Sequence, residues 1–134
     1  MNPMGYRFEK HYTRQEARDL LPQIRQWLKV LLKLTKELQK CELHLRDLRK
    51  DGSDLGGDWV NKWVKTIAEI KTVLLEFYSR EIQIKDLERG LVDFPAFIDG
   101  NEVFLCWEEG EPDIEFWHSL DAGFAGRERI EGTE

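Results

Sequence analysis

Nine apolar residues fall at Leu20, Ile24, Trp27, Leu31, Leu34, Leu38, Cys41, Leu45 and Leu48, their spacing alternating four and three without a miss. That rhythm places one continuous stripe along a helix and demands a partner stripe to cover it. The partner follows at once. Val60, Trp63, Ile67, Ile70, Leu74 and Phe77 repeat the alternation, and Asp51-Gly52 with Ser53 to Gly57 makes the link between them. Two matched seams joined by a short glycine-rich turn fold as an antiparallel helical hairpin. Counting outward from the turn pairs Leu48 with Val60, Cys41 with Ile67 and Leu31 with Phe77.

The start of the first helix is marked by Thr13-Arg-Gln-Glu16, a capping box in which each end residue satisfies the other's orphan amide. Pro22 lacks an amide donor and crowds the preceding turn, so a helix broken or kinked near Pro22 is expected. Apolar width is greatest around 27–34 and 73–78 and narrows toward the tip. Further structure is therefore expected to dock at the base of the hairpin, leaving Trp59 near the exposed end.

From about Glu81 the apolar period changes to two. Val103, Leu105 and Trp107 alternate with Phe104 and Cys106, and Ile114, Phe116 and His118 are expected on one face. Asp99-Gly100-Asn101 is a hairpin turn signal between strands 92–98 and 102–108, and Pro95 reads as the mark of an edge or bulged strand. The expected class is α+β: a long helical hairpin over 13–80, and a small antiparallel sheet over 81–127 packed at its base. Residues 128–134 read as a flexible tail. The length of 134 residues suits one domain.

The net charge of −6 conceals an asymmetry. Residues 14–50 hold ten Lys/Arg against five Asp/Glu, whereas 81–134 hold four against fifteen. An acidic chain argues against sequence-independent nucleic-acid binding. No apolar run approaches the roughly 18 residues of a membrane span and no leader opens the chain, so a cytoplasmic protein is expected. Cys41 and Cys106 read as two buried thiols. No paired-His, Cys-x-x-Cys or nucleotide-binding spacing occurs, so neither a metal nor a cofactor is implied.

The ordered runs Lys85-Asp-Leu-Glu-Arg-Gly-Leu-Val-Asp-Phe-Pro-Ala96, Glu102-Val-Phe-Leu-Cys-Trp107, Gly110-Glu111, Trp117-His118 and Gly123-Phe-Ala-Gly-Arg127 go with Thr13…Glu16-Ala17…Leu20-Leu21-Pro22 near the start. Together they resemble the bacterial domain of unknown function 2203 family over about residues 6–127. The resemblance implies a fold but no reaction, ligand or partner.

Six polar residues in the C-terminal half are candidates for a ligand site: Asp86, Asp93, Glu111, His118, Asp121 and Arg127. His118 beside carboxylates could serve a metal or acid–base site, or be a structural histidine bonded to a carboxylate or carbonyl. Arg127, ending a glycine loop, could hold an anion or neutralise its acidic neighbours. Asp86 and Asp93 could form a carboxylate pair, or join Lys85 and Arg89 in an ion-pair network. Two functions from different classes follow. One is an intracellular interaction or scaffold module, working through the tip near Trp59 and a homodimer in which Leu28, Val30, Leu32 and Leu75 form the leftover patch. The other is a small-ligand- or metal-binding enzyme. It requires at least four of the six residues to converge on one concave, partly apolar pocket.

Overall fold

The computed structural model describes residues 5–50 and 57–131. Helix α1 runs Arg14–Lys50 and α2 Gly57–Tyr78. Five strands follow: β1 Gln83–Asp86, β2 Leu91–Ile98, β3 Asn101–Glu108, β4 Phe116–Ser119 and β5 Glu128–Arg129, with a 3-10 turn over Phe124–Gly126. The sheet is antiparallel in the order β1-β2-β3-β4-β5. The expected α+β architecture is present, and the hairpin link at 51–56 lies outside the described residues.

Both bonds of the capping box form: Glu16 N donates to Thr13 Oγ1 at 3.1 Å and Thr13 N to Glu16 Oε1 at 2.9 Å. The expected break at Pro22 does not occur, because α1 continues through it. A proline inside a helix costs about 3 kcal/mol. Ala17, Leu21, Ile24, Leu28 and Leu31 on either side are all buried against the sheet. At about 1.5–3 kcal/mol for each large apolar side chain, two of them offset the proline.

The seam between the helices also differs from the simple count. Phe77 meets Trp27 edge-on at 5.4 Å, one turn from the expected Leu31. Cys41 Sγ donates to the Trp59 carbonyl at 3.3 Å, and Trp59 packs against His44 at 4.0 Å. Val60 is 37% exposed, whereas Thr66 is buried with its hydroxyl donating to the Lys62 carbonyl. A threonine so satisfied can enter a seam without leaving a polar atom unpaired.

Val92, Phe94 and Ala96 of β2, with Val103, Leu105 and Trp107 of β3, face α1 and form the core. Ile114 joins this core and does not share a face with His118, because it precedes β4 and follows its own path. The β2–β3 turn is a two-residue loop in which Asp99 (φ 51) and Gly100 (φ 79) are both left-handed, the geometry that matches strand twist. β2 is a central strand, paired on both sides over residues 91–93, but at Pro95 only the β3 side is paired by a strand. The Pro95 carbonyl accepts from Tyr12 N at 2.7 Å, so the carbonyl and imide nitrogen point away from β3, beyond the end of β1. No ladder bond to β3 is lost there. Residues 128–130, expected in a tail, supply β5 and the buried Ile130, while 132–134 lie outside the described residues.

Candidate functional site

The period of two that sends Val92, Phe94, Val103, Leu105 and Trp107 toward the helices sends their neighbours to the opposite face. There Asp93 pairs with Cys106 across β2 and β3, and Phe104 pairs with His118 across β3 and β4. Three strands thus bring together a carboxylate, a thiol and an imidazole, with donor atoms all within 4.8 Å of one another. Asp93 and His118 are each 2% exposed and Cys106 is fully buried.

His118 Nε2 lies 2.9 Å from Asp93 Oδ2, and Nδ1 lies 2.7 Å from the Ser119 carbonyl oxygen. A carbonyl can only accept, so Nδ1 carries a proton and donates it. Nε2 is then the ring nitrogen turned to the Asp93 carboxylate. Burial pushes the Asp93 carboxyl above its ordinary range, while His118, the Cys106 thiol and Lys85 pull it back. The thiol lies within 4.8 Å of this carboxylate. Among the described residues Asp93 Oδ1 has no hydrogen-bond partner, although it is buried.

Cys106 is held as a neutral thiol. Burial pushes it up to about 12, the Asp93 charge adds to that, and the Arg127 guanidinium opposes it. Arg127 Nη1 reaches Cys106 Sγ at 3.8 Å and Glu111 Oε1 at 3.2 Å, with Nη2 on Glu111 Oε2. Its planar head lies 3.9 Å from the Phe116 ring centre and 4.3 Å from that of Phe124. Glu111 is itself placed by the turn after β3, where its Oε1 accepts from Glu108 N at 2.8 Å. Phe104 flanks His118 at 5.5 Å and is covered in turn by Phe8 at 5.4 Å.

Four of the six expected residues therefore meet: Asp93 and His118 directly, Glu111 and Arg127 through Cys106. Two do not. Asp86 accepts from Arg89 N at 3.1 Å and is opposite Leu91, while Gln83 takes the place across from Asp93, so there is no carboxylate pair. The ion-pair network is also redistributed, with Arg89 Nε on Glu108 at 2.7 Å. Asp121 is 90% exposed and pairs with Arg7 at 3.1 Å. The pocket half of the criterion is not met. A cleft of about 630 Å³, lined by Arg25, Leu32, Leu87 and Glu109 among others, lies apart from the cluster.

Cys106 is the residue that spacing missed. Its neighbours in the cluster lie 13 and 12 positions away, and only its place between β2 and β4 connects them. Its signal was a small polarizable residue alternating with large core residues on a central strand.

The fold and this cluster define an α+β domain with a helical hairpin on one face of a sheet and a closed polar centre on the other. The chain belongs to the family of uncharacterized conserved proteins DUF2203, whose model matches residues 10–130. No curated protein and no solved structure matches it.

Proposed function

We propose that the protein is a binding domain for a metal ion or small ligand, with its site at Asp93, Cys106 and His118. A single observation carries the reading: among the described residues Asp93 Oδ1 is a buried acceptor without a hydrogen-bond partner, inside a cluster drawn from three strands. Leaving such an atom unmet costs about 1–3 kcal/mol, and a fold keeps such a defect where function uses it. Burial of the pair favours retention of a ligand over turnover of a substrate, which needs approach and release.

Thermal melting of the purified chain in the presence of divalent cations and of inorganic phosphate tests the reading. A bound ligand at about 100 times its Kd adds about 2.7 kcal/mol, enough to raise Tm by several degrees. Loss of that rise in Arg127→Ala or Cys106→Ser, with the fold intact, supports the site. No rise with any of these ligands sinks it.

A second reading, an intracellular interaction module, is favoured by the far half of the hairpin. Leu43 and Val64 are more than half exposed there, on helices that carry most of the positive charge. Trp59 is braced by His44 and Lys62, so it serves chiefly as a local staple. Val30 and Leu75 are exposed but Leu28 is buried, which shrinks the expected dimer patch. Light scattering at low and high salt tests self-association, and a monomer at tens of micromolar in both rejects the homodimer.

A further inference from the structure

We infer that the ligand is a divalent transition-metal ion of the zinc class, held by an Asp93 carboxylate oxygen, Cys106 Sγ and His118 Nε2, an assignment that rests on the binding function proposed above. The donor set selects the class. One thiolate, one imidazole and one carboxylate suit zinc and its neighbours, whereas magnesium and calcium call for oxygen throughout. Donors about 2.0–2.3 Å from a tetrahedral ion lie roughly 3.3–3.8 Å from one another. The 2.9 Å separation of Asp93 and His118 and the 4.8 Å limit on the whole set bracket that range.

The orientation of His118 agrees. Metal-bound histidines commonly donate their second ring N–H to a carbonyl or carboxylate, which directs the other nitrogen's lone pair at the ion. His118 Nδ1 already does so with the Ser119 carbonyl, leaving Nε2 toward the cluster. Asp93 Oδ1, the atom without a partner, is a second donor on the same carboxylate.

Charge balance favours an ion of charge two. A carboxylate, a thiolate and a neutral imidazole around a divalent cation sum to zero, so no uncompensated charge is buried. Arg127 beside the sulfur does not upset this balance, because Glu111 neutralises it.

Titration of the purified chain with Co²⁺, a coloured stand-in for zinc, tests the assignment. The expected result is saturation at one ion per chain, a thiolate-to-cobalt charge-transfer band in the near ultraviolet, and displacement by Zn²⁺. Cys106→Ser removes the band and weakens binding by at least roughly 10–100-fold, the loss typical of even an outer-shell partner. Cys41→Ser keeps both. The chain has two cysteines, so a band in Cys41→Ser can arise only from Cys106, even where Cys106→Ser does not fold. Circular dichroism checks the fold of each variant. Absence of saturable binding, a band that survives in folded Cys106→Ser, or one that vanishes in folded Cys41→Ser overturns the assignment. If Co²⁺ fails while inorganic phosphate still raises Tm through Arg127, the metal is wrong and the binding function stands; if both fail, both fall.

Discussion

Asp93 on β2 and His118 on β4 meet across the intervening strand, with Oδ2 and Nε2 2.9 Å apart although 25 positions separate them in the chain. Both side chains are 98% buried, so the pair is desolvated and each partner depends on the other. Their link spans three strands and ties the outer part of the sheet to its centre.

Removing one partner strands the other. Asp93→Ala is expected to lower stability by about 3–5 kcal/mol, the range for breaking a buried pair from one side. Urea unfolding of Asp93→Ala, His118→Ala and the double variant measures it. The double variant is expected to lose less than the sum of the singles, and strict additivity would mean that the two residues act independently.

The core and the far hairpin are expected to respond differently to truncation. Leu31, 1% exposed and packed between α1 and the sheet, is expected to cost about 2–5 kcal/mol as Leu31→Ala. Leu43→Ala, at a position 55% exposed, is expected to stay within about 0.5 kcal/mol. Denaturant midpoints at unchanged slope report both.

Gly90 has a steric reason to be glycine. Its φ is +66°, and an added Cβ would lie 2.6 Å from Glu109 Cβ. Gly90→Ala is therefore expected to destabilise by more than about 1 kcal/mol, whereas Gly100→Ala, which meets no atom within 4 Å, carries only the strain of its positive φ. A larger fall in Tm for Gly90→Ala than for Gly100→Ala is the expected order.

Acid is expected to loosen the clasp between α1 and the 109–115 loop. The Arg18 guanidinium, hydrogen-bonded at 2.7 Å, holds the Asp113 carboxyl below its usual range, with the Ile114 amide and Arg14 adding to the effect. A carboxyl depressed in the folded state stabilises above its unfolded value, about 3.9. That contribution is lost as pH falls through the lower folded value. Asp113→Asn is therefore expected to flatten the loss of stability below about pH 4. Because Asp113 is partly exposed, added salt is expected to shrink the difference. An unchanged pH profile in the variant would remove Asp113 from this role.

The parts of the fold that the sequence determined by itself are those whose causes lie within a few residues. The capping box at Thr13 and Glu16 closes over one turn, and the 3–4 stripe from Leu20 to Leu48 is a property of one helix. The left-handed pair Asp99-Gly100 turns the chain by its own torsions. Such signals are local because the hydrogen bonds and steric limits behind them are local. Pro22 and Pro95 show the complementary case. Their local penalties are real, but packing of Leu21 and Ile24 outweighs that of Pro22 so that α1 is not broken, and β1 ends before Pro95, so its missing donor is not called on. The candidate site is legible in the sequence only as a set of six residues, four of which the fold brings near one another. Which four meet, and that Cys106 joins them, was decided by tertiary structure. Asp93 faces Cys106 because Leu91–Ile98 pairs in register with Asn101–Glu108, and His118 closes the group because Phe104 lies opposite it. A shift of one residue in either pairing would turn these side chains to the other face. Register is set by the summed burial of Val92, Phe94, Val103, Leu105 and Trp107 against α1, a sum over residues distant in sequence that no single stretch of the chain contains.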